Sequence, residues 1–259
     1  MRSFHRLCHQ RWFAATLAAL VVALQIFTPL WAMPAPSAAA PRPLASAAWI
    51  PIEQQPLYAE LERTAQAWSD VVLDQVVGSS PRATLLNFYA VMAEVGRRSE
   101  RLGRAASWQQ QGLSPAQRQE EIDDSDLLFQ LAVKALDATG FAASVRVDRA
   151  EEAAIQLKHV LDYVFTHSVQ PIRIPDAAGM KAINDLRTTP TYSWRLPGTA
   201  ITLTDKEDGD PDNEDYRFSV PTVAAIGQMY REIRDYPVVK QPFATPDFFN
   251  NFVHTPGYL

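Results

Sequence analysis

Asp208, Asp210 and Asp212 stand at alternate positions in an acidic run, 205–215, that contains a single cation, Lys206. Alternate carboxylates open a calcium-binding loop, because oxygen ligands at its first, third and fifth positions wrap a hard cation. Such a loop also needs Gly at the sixth position for its sharp turn and a bidentate Glu at the twelfth. Those places hold Asn213 and Ser219 here. The run therefore reads as a hairpin loop kept soluble by its charge, with a divalent-cation site as the sharper alternative.

Other reactive residue types are sparse. His159 and His167 are eight residues apart, too far for the i, i+4 pair that grips a metal from one helix, and read as helix-surface residues. Glu120-Glu121 and Asp123-Asp124 could be imagined as a general acid–base pair. Adjacent helical residues point to different faces, so a solvated acidic segment is the better reading. Arg97, Arg98, Arg101 and Arg104 read as solvated cations at the negative end of a helix, with lipid head groups as the sharper alternative. The sequence has no Gly-x-Ser-x-Gly, no Gly-rich phosphate loop and no Cys–His pairing. We expect no enzyme, and no catalytic, cofactor-binding or metal residue is assigned.

The elements that would carry these residues are mostly helical. Leu57, Leu61, Ala65, Trp68, Val72 and Val76 recur at helical steps, predicting a helix to about Val77 that Gly78-Ser79 breaks. Ser80-Pro81 opens a second helix with Leu85, Phe88, Tyr89, Met92 and Val95 inward. Ser114 and Gln117 have capping-box spacing. The acidic stretch from Glu120 to Asp126 is expected to break that segment. A stronger helix, from about Ser125 to Ala138 with Leu127, Leu128, Leu131, Val133 and Leu136 as its apolar residues and closed by Gly140, then follows. A second capping box, Asp148 with Glu151, introduces the cleanest amphipathic helix, with Ala150, Ala154, Leu157, Val160, Leu161, Val164 and Phe165 on one face.

After Pro171 the period changes to two. Tyr192–Leu196, Ile201–Thr204 and Tyr216–Ser219 read as short strands, with Pro197-Gly198 and the acidic run as turns. A last helix runs from Ser219–Pro221 to about Asp235, with Val223, Ile226, Met229, Tyr230 and Ile233 inward. The expected fold is α+β, mostly α: about five helices and a small three-stranded antiparallel β-meander.

Arg2, Arg6 and Arg11 precede a 19-residue apolar run, Ala14 to Ala32, and small residues and prolines follow it. That order is an export signal. As a helix the run would reach about 28 Å, close to the ~30 Å hydrocarbon core, so a retained anchor is the alternative to cleavage. Removing the three arginines takes the net charge from −5 to −8, which gives no general attraction for nucleic acid or anionic lipid. The one cysteine, Cys8, lies before the apolar run, so a cleaved product carries no disulfide. The organisation expected is a signal peptide or anchor at 1–33, an Ala/Pro-rich linker at 34–52, an α-rich extracytoplasmic domain at 53–240 and an aromatic, Pro-rich tail at 241–259.

Three stretches resemble a known family. Ser79-Ser-Pro-Arg-Ala-Thr-Leu-Leu-Asn-Phe88 is similar to the opening of an extracytoplasmic domain that precedes the pore in some small-conductance (MscS-like) mechanosensitive channels. Tyr216-Arg-Phe-Ser-Val-Pro-Thr-Val223, with Ile226 and Met229-Tyr230, looks like a later segment of that domain. Thr245 to Leu259 looks like the stretch leading into the first membrane helices. The resemblance implies an outer domain on the periplasmic side of the inner membrane of a Gram-negative-type bacterium. Channel subunits, further copies of the chain and the membrane would be its partners. No pore-lining helix occurs up to Leu259, so the chain is expected to be the front of a longer product or a shortened relative. The alternative is a freestanding periplasmic interaction or cation-binding protein.

Overall fold

A computed structural model describes residues 49–70, 75–105, 113–206, 215–237 and 239–245. Among them are six α-helices: α1 (Tyr58–Asp70), α2 (Pro81–Ala105), α3 (Pro115–Val133), α4 (Arg146–Thr166), α5 (Ala177–Asp185) and α6 (Val220–Ile233). Strands β1 (Ser193–Arg195), β2 (Thr202–Asp205) and β3 (Tyr216–Phe218) form one antiparallel meander in the order β1-β2-β3. Leu203 of β2 is paired with Trp194 on one side and Phe218 on the other. The α-rich α+β class expected from the sequence is the one observed, with one helix more than expected. None of the described helices is long and apolar enough to cross a membrane.

The helix starts follow local chemistry. Ser80 Oγ accepts from the Ala83 amide at 3.2 Å and Pro81 is the first residue of α2. Ser114 and Gln117 make both halves of a capping box at α3. Ser219 Oγ caps α6 through the Thr222 amide. α4 differs: it begins at Arg146 without a side-chain cap, so Asp148 lies inside the first turn. There its carboxylate faces the positive end of the helix dipole rather than capping it.

Two expectations about helix limits are corrected. α1 does not reach Val77: Gln75–Val77 is non-helical, although Val76 is buried. α3 is continuous through Glu120–Asp126, where a break was expected. Two of its acids are paired from the neighbouring helix: Arg98 of α2 pairs with Asp124 at 3.3 Å and Arg101 with Glu121 at 2.5 Å. The helix then stops at Val133, and Ala138–Gly140 is a separate 3-10 turn capped by Asp137. Gly140 therefore does not close α3. It matters for packing instead, since a Cβ there would meet Val220 Cγ1 at 2.7 Å. Leu127, expected inside, is 49% exposed, and Leu128 and Leu131 take the core side. α5, unforeseen, is capped by Asp176 accepting from the Gly179 amide at 2.8 Å, and only Met180 of it is buried.

α2 runs through the core. Its Leu85, Phe88, Tyr89, Met92 and Val95 are fully buried. Phe88 meets Phe218 of β3 edge-on at 5.1 Å, and Tyr89 meets Phe165 of α4 edge-on at 4.7 Å. Such pairs add to the burial of their area. β3 is stitched in from two sides: the Tyr216 amide donates to Gly78 O, and the Phe218 amide to Ala135 O. Thr84 joins α2 to this strand. Its buried hydroxyl donates to Tyr216 O at 2.7 Å and accepts from the Gly78 amide at 2.9 Å.

Thr84→Val keeps the shape but leaves two buried backbone groups unpaired. It is expected to lower unfolding free energy by about 1–3 kcal/mol in urea titrations, while Thr84→Ser retains most of it. Equal stability of Thr84→Val and the parent chain would contradict this role.

Candidate functional site

On α4, Ala154, Lys158, Leu161, Asp162 and Phe165 recur at three- and four-residue steps and share one face. That face is buried, and it buries two opposite charges: Lys158 and Asp162 are both wholly inaccessible. A charge removed from water is tolerated only when paired and hydrogen-bonded. Here the pairing is full. Lys158 Nζ donates to Asp162 Oδ1 at 2.5 Å, to Phe243 O at 2.9 Å and to Thr245 Oγ1 at 3.0 Å. It also sits 4.5 Å from the centre of the Tyr89 ring. Asp162 Oδ1 accepts from the Tyr89 hydroxyl at 2.8 Å, and Oδ2 from the Thr245 amide at 3.2 Å.

The site therefore joins three parts of the chain: α2 through Tyr89, α4 through the ion pair, and the segment 239–245 through Phe243 and Thr245. Phe243 has a positive φ of 67°, a left-handed conformation unfavourable for a residue with a Cβ. Strain of that kind persists where surroundings hold it, and the Phe243 carbonyl is held by Lys158. A second tie lies upstream: the amide of buried Ile52 donates to Gln241 Oε1 at 3.0 Å. The body of the fold thus uses Ile52 at one end and residues 241–245 at the other.

Burial lowers the proton affinity of Lys158, and the Asp162 charge and hydrogen bond oppose that effect. Burial, then the Asp162 charge and hydrogen bond, push the Tyr89 hydroxyl well above its ordinary range, so it remains a neutral donor. A lysine of lowered proton affinity beside a tyrosine suggests amine chemistry. The geometry argues against it: all three ammonium protons are used within the protein and the nitrogen has no exposed surface. The cluster is a clamp on residues 243–245.

The residues singled out in the sequence fare differently. Asp208, Asp210 and Asp212 lie outside the described residues, as does the tail from 246 to 259. At the ends of the acidic run, Asp205 is buried and accepts from the Asp215 amide at 3.0 Å, and Asp215 pairs with Arg217. Among the described residues no group of three or more His, Cys, Asp or Glu could hold a metal. A cleft of about 320 Å³ beside these ends is lined by Asp137, Lys206, Arg217 and Pro221 among others, and Lys206 is engaged by Asp137 at 2.9 Å.

Arg97, Arg98 and Arg101 are ion-paired rather than free in solvent; the side chain of Arg104 lies outside the described residues. Arg97 and Arg98 both pair with Glu94, which is buried, and Arg98 and Arg101 reach α3. Neither histidine is a plain surface residue. His159 is half-buried against Tyr230 with its Nε2 buried and unpartnered. His167 stacks on Tyr163 at 4.3 Å. The Lys158–Asp162 pair was missed in the sequence, although a lysine and an aspartate interrupting the apolar face of α4 were visible there.

Comparison of the chain with protein families, curated proteins and solved structures finds no match.

Lys158→Met leaves Asp162 buried without its cation and is expected to cost about 3–5 kcal/mol in urea unfolding. Tyr89→Phe, which removes one hydrogen bond to a charged group, is expected to cost about 1.5–3 kcal/mol. Loss of under half a kilocalorie in either, roughly the scale of an exposed pair, would contradict the clamp.

His159 adds a pH dependence. Burial is the main cause that holds its proton affinity below the ordinary value; Lys158 adds to it and Asp162 opposes it. Below about pH 6.5 the unfolded chain gains a proton that the folded chain resists, so stability falls on acidification. His159→Leu is expected to flatten the slope of unfolding free energy between pH 7 and pH 5; an unchanged slope would contradict this.

Proposed function

We propose that this chain is the extracytoplasmic outer domain of a mechanosensitive-channel-like membrane protein, biasing gating or assembly rather than catalysing a reaction. One observation carries the reading. The stretches that resemble the channel family are parts of a single packed unit. The first opens α2 and the second forms β3 and the start of α6. They meet through the Thr84–Tyr216 hydrogen bond and the Phe88–Phe218 contact. The third begins at Thr245, whose amide and hydroxyl the buried pair holds. Residues far apart in the chain are thus related in space as the segments of one outer domain would be.

The mechanism follows from where the clamp sits. Load on the segment after Thr245 reaches α4 through charge-assisted hydrogen bonds and reaches α2 through Tyr89. A domain so coupled shifts a pore between states only as far as its contacts differ in free energy between them. Export by the basic and apolar leader brings the domain to the periplasmic side.

The test is the nucleotide sequence beyond the codon for Leu259. The reading expects, in the same frame or a shifted one, apolar runs of about 20 residues followed by a helix of small residues. A stop without such segments in any frame would overturn the channel reading in favour of a freestanding exported interaction protein.

A further inference from the structure

An aromatic ladder runs over the C-terminal end of α4. Trp49 packs on His167 with ring centres 4.4 Å apart, His167 stacks on Tyr163 at 4.3 Å, and Tyr163 meets Tyr236 at 5.6 Å. Trp49 and Tyr236 are about half exposed, at 47% and 52%, and Val169 beside the end of α4 is 51% exposed. The ladder is fixed to the body: the Ile50 amide donates to Ser168 O at 2.8 Å, and the His167 amide to Tyr163 O at 3.0 Å. Tyr163 lies on α4 and His167 caps it, while Trp49 and Tyr236 lie outside the helices and are held against it by ring contacts and by the Ile50 amide bond to Ser168.

Their chemistry is mixed. Trp49, Tyr163, Tyr236 and His167 each join an apolar body to a polar tip, which suits a boundary between water and hydrocarbon better than a dry protein groove. Exposed Lys240 follows Tyr236 in the chain and exposed Asp235 precedes it, so these two charges offset. Both chain segments flanking the ladder are apolar. Trp49 comes soon after the run Ala14 to Ala32, and Tyr236 comes shortly before Phe248, Phe249 and Phe252.

We propose that this ladder is a membrane-docking face, seating Trp49 and Tyr236 at the head-group level of a phospholipid bilayer. The inference rests on the reading of the chain as membrane-tethered and adds the surface of the domain that meets the lipid. The rings anchor the domain's orientation.

The test uses the full chain with Cys8→Ser and one new cysteine, Trp49→Cys or Tyr236→Cys, carrying a polarity-sensitive fluorophore. Leu186→Cys, at a residue 90% exposed, is the reference. Each is mixed with vesicles of phosphatidylcholine and phosphatidylglycerol and separated by flotation. The expected result is that the chain floats and that labels at 49 and 236 lose most of their quenching by aqueous iodide and become quenched by a lipid-borne nitroxide. The label at 186 should remain open to iodide. Flotation with all three labels equally open to iodide would overturn the docking face while leaving the tethered outer domain standing. Labels at 49 and 236 shielded before vesicles are added would overturn it in favour of cover by the chain's own tail. Shielding by peptidoglycan fragments but not by vesicles would overturn it in favour of a glycan surface. Failure to float would overturn both the face and the tethering. Two independent label positions guard against one substitution disturbing the fold.

Discussion

A lysine with no contact with water is the constraint on which the rest of this structure depends. Removing an ammonium and a carboxylate from solvent carries a desolvation penalty of several kcal/mol per ion, and it is offset only if every donor and lone pair is met with good geometry. Lys158 and Asp162 achieve this by drawing on three separate parts of the chain. Tyr89 must be on α2 at that height, α4 must present both charges on its inner face, and residues 243–245 must fold back over them. The demand explains why Phe243 adopts a left-handed backbone without being glycine. Its carbonyl is needed as the second acceptor of the lysine. A pair of this kind is a poor source of net stability compared with an apolar core, but it resists partial opening, because half a network is worse than none.

That property distinguishes the clamp from the ionic ladder between α2 and α3. Arg98 and Arg101 reach Asp124 and Glu121 at a partly exposed edge, where in each pair one partner stays about half exposed. Such contacts guide a helical hairpin into register and are screened by salt. The clamp is dry, so its opening is an all-or-none event that would expose both charges together. The clamp thereby ties residues 243–245 to the body of the fold.

Much of the fold could be read before the structure was seen, because its signals are local. Ser80-Pro81, the Ser114–Gln117 box and the Ser219 cap depend on neighbours three or four residues away, and the inward face of α2 follows from period alone. The misreadings come from partners distant in sequence. Glu121 and Asp124 looked like a break because their cations sit on the preceding helix. Leu127 looked inward because it adjoins Leu128 and Phe129 in one apolar run, of which only the latter two are buried. The site was harder still. Lys158 and Asp162 at i, i+4 have the spacing of an ordinary exposed helix pair. Only their alignment with Ala154, Leu161 and Phe165 hinted otherwise, and nothing local shows that a segment some 85 residues later covers them.

The most direct test of the clamp is hydrogen exchange of the Thr245 amide in the full chain. That amide donates to Asp162 Oδ2. If the buried pair binds the exit segment into the body, this amide exchanges as slowly as the core amides of α4, such as that of Leu161, because both open only when the dry cluster opens. If the Thr245 amide exchanges at the rate of a free backbone amide while α4 stays protected, the segment is not held by the pair. The coupling from tail to body would then be contradicted.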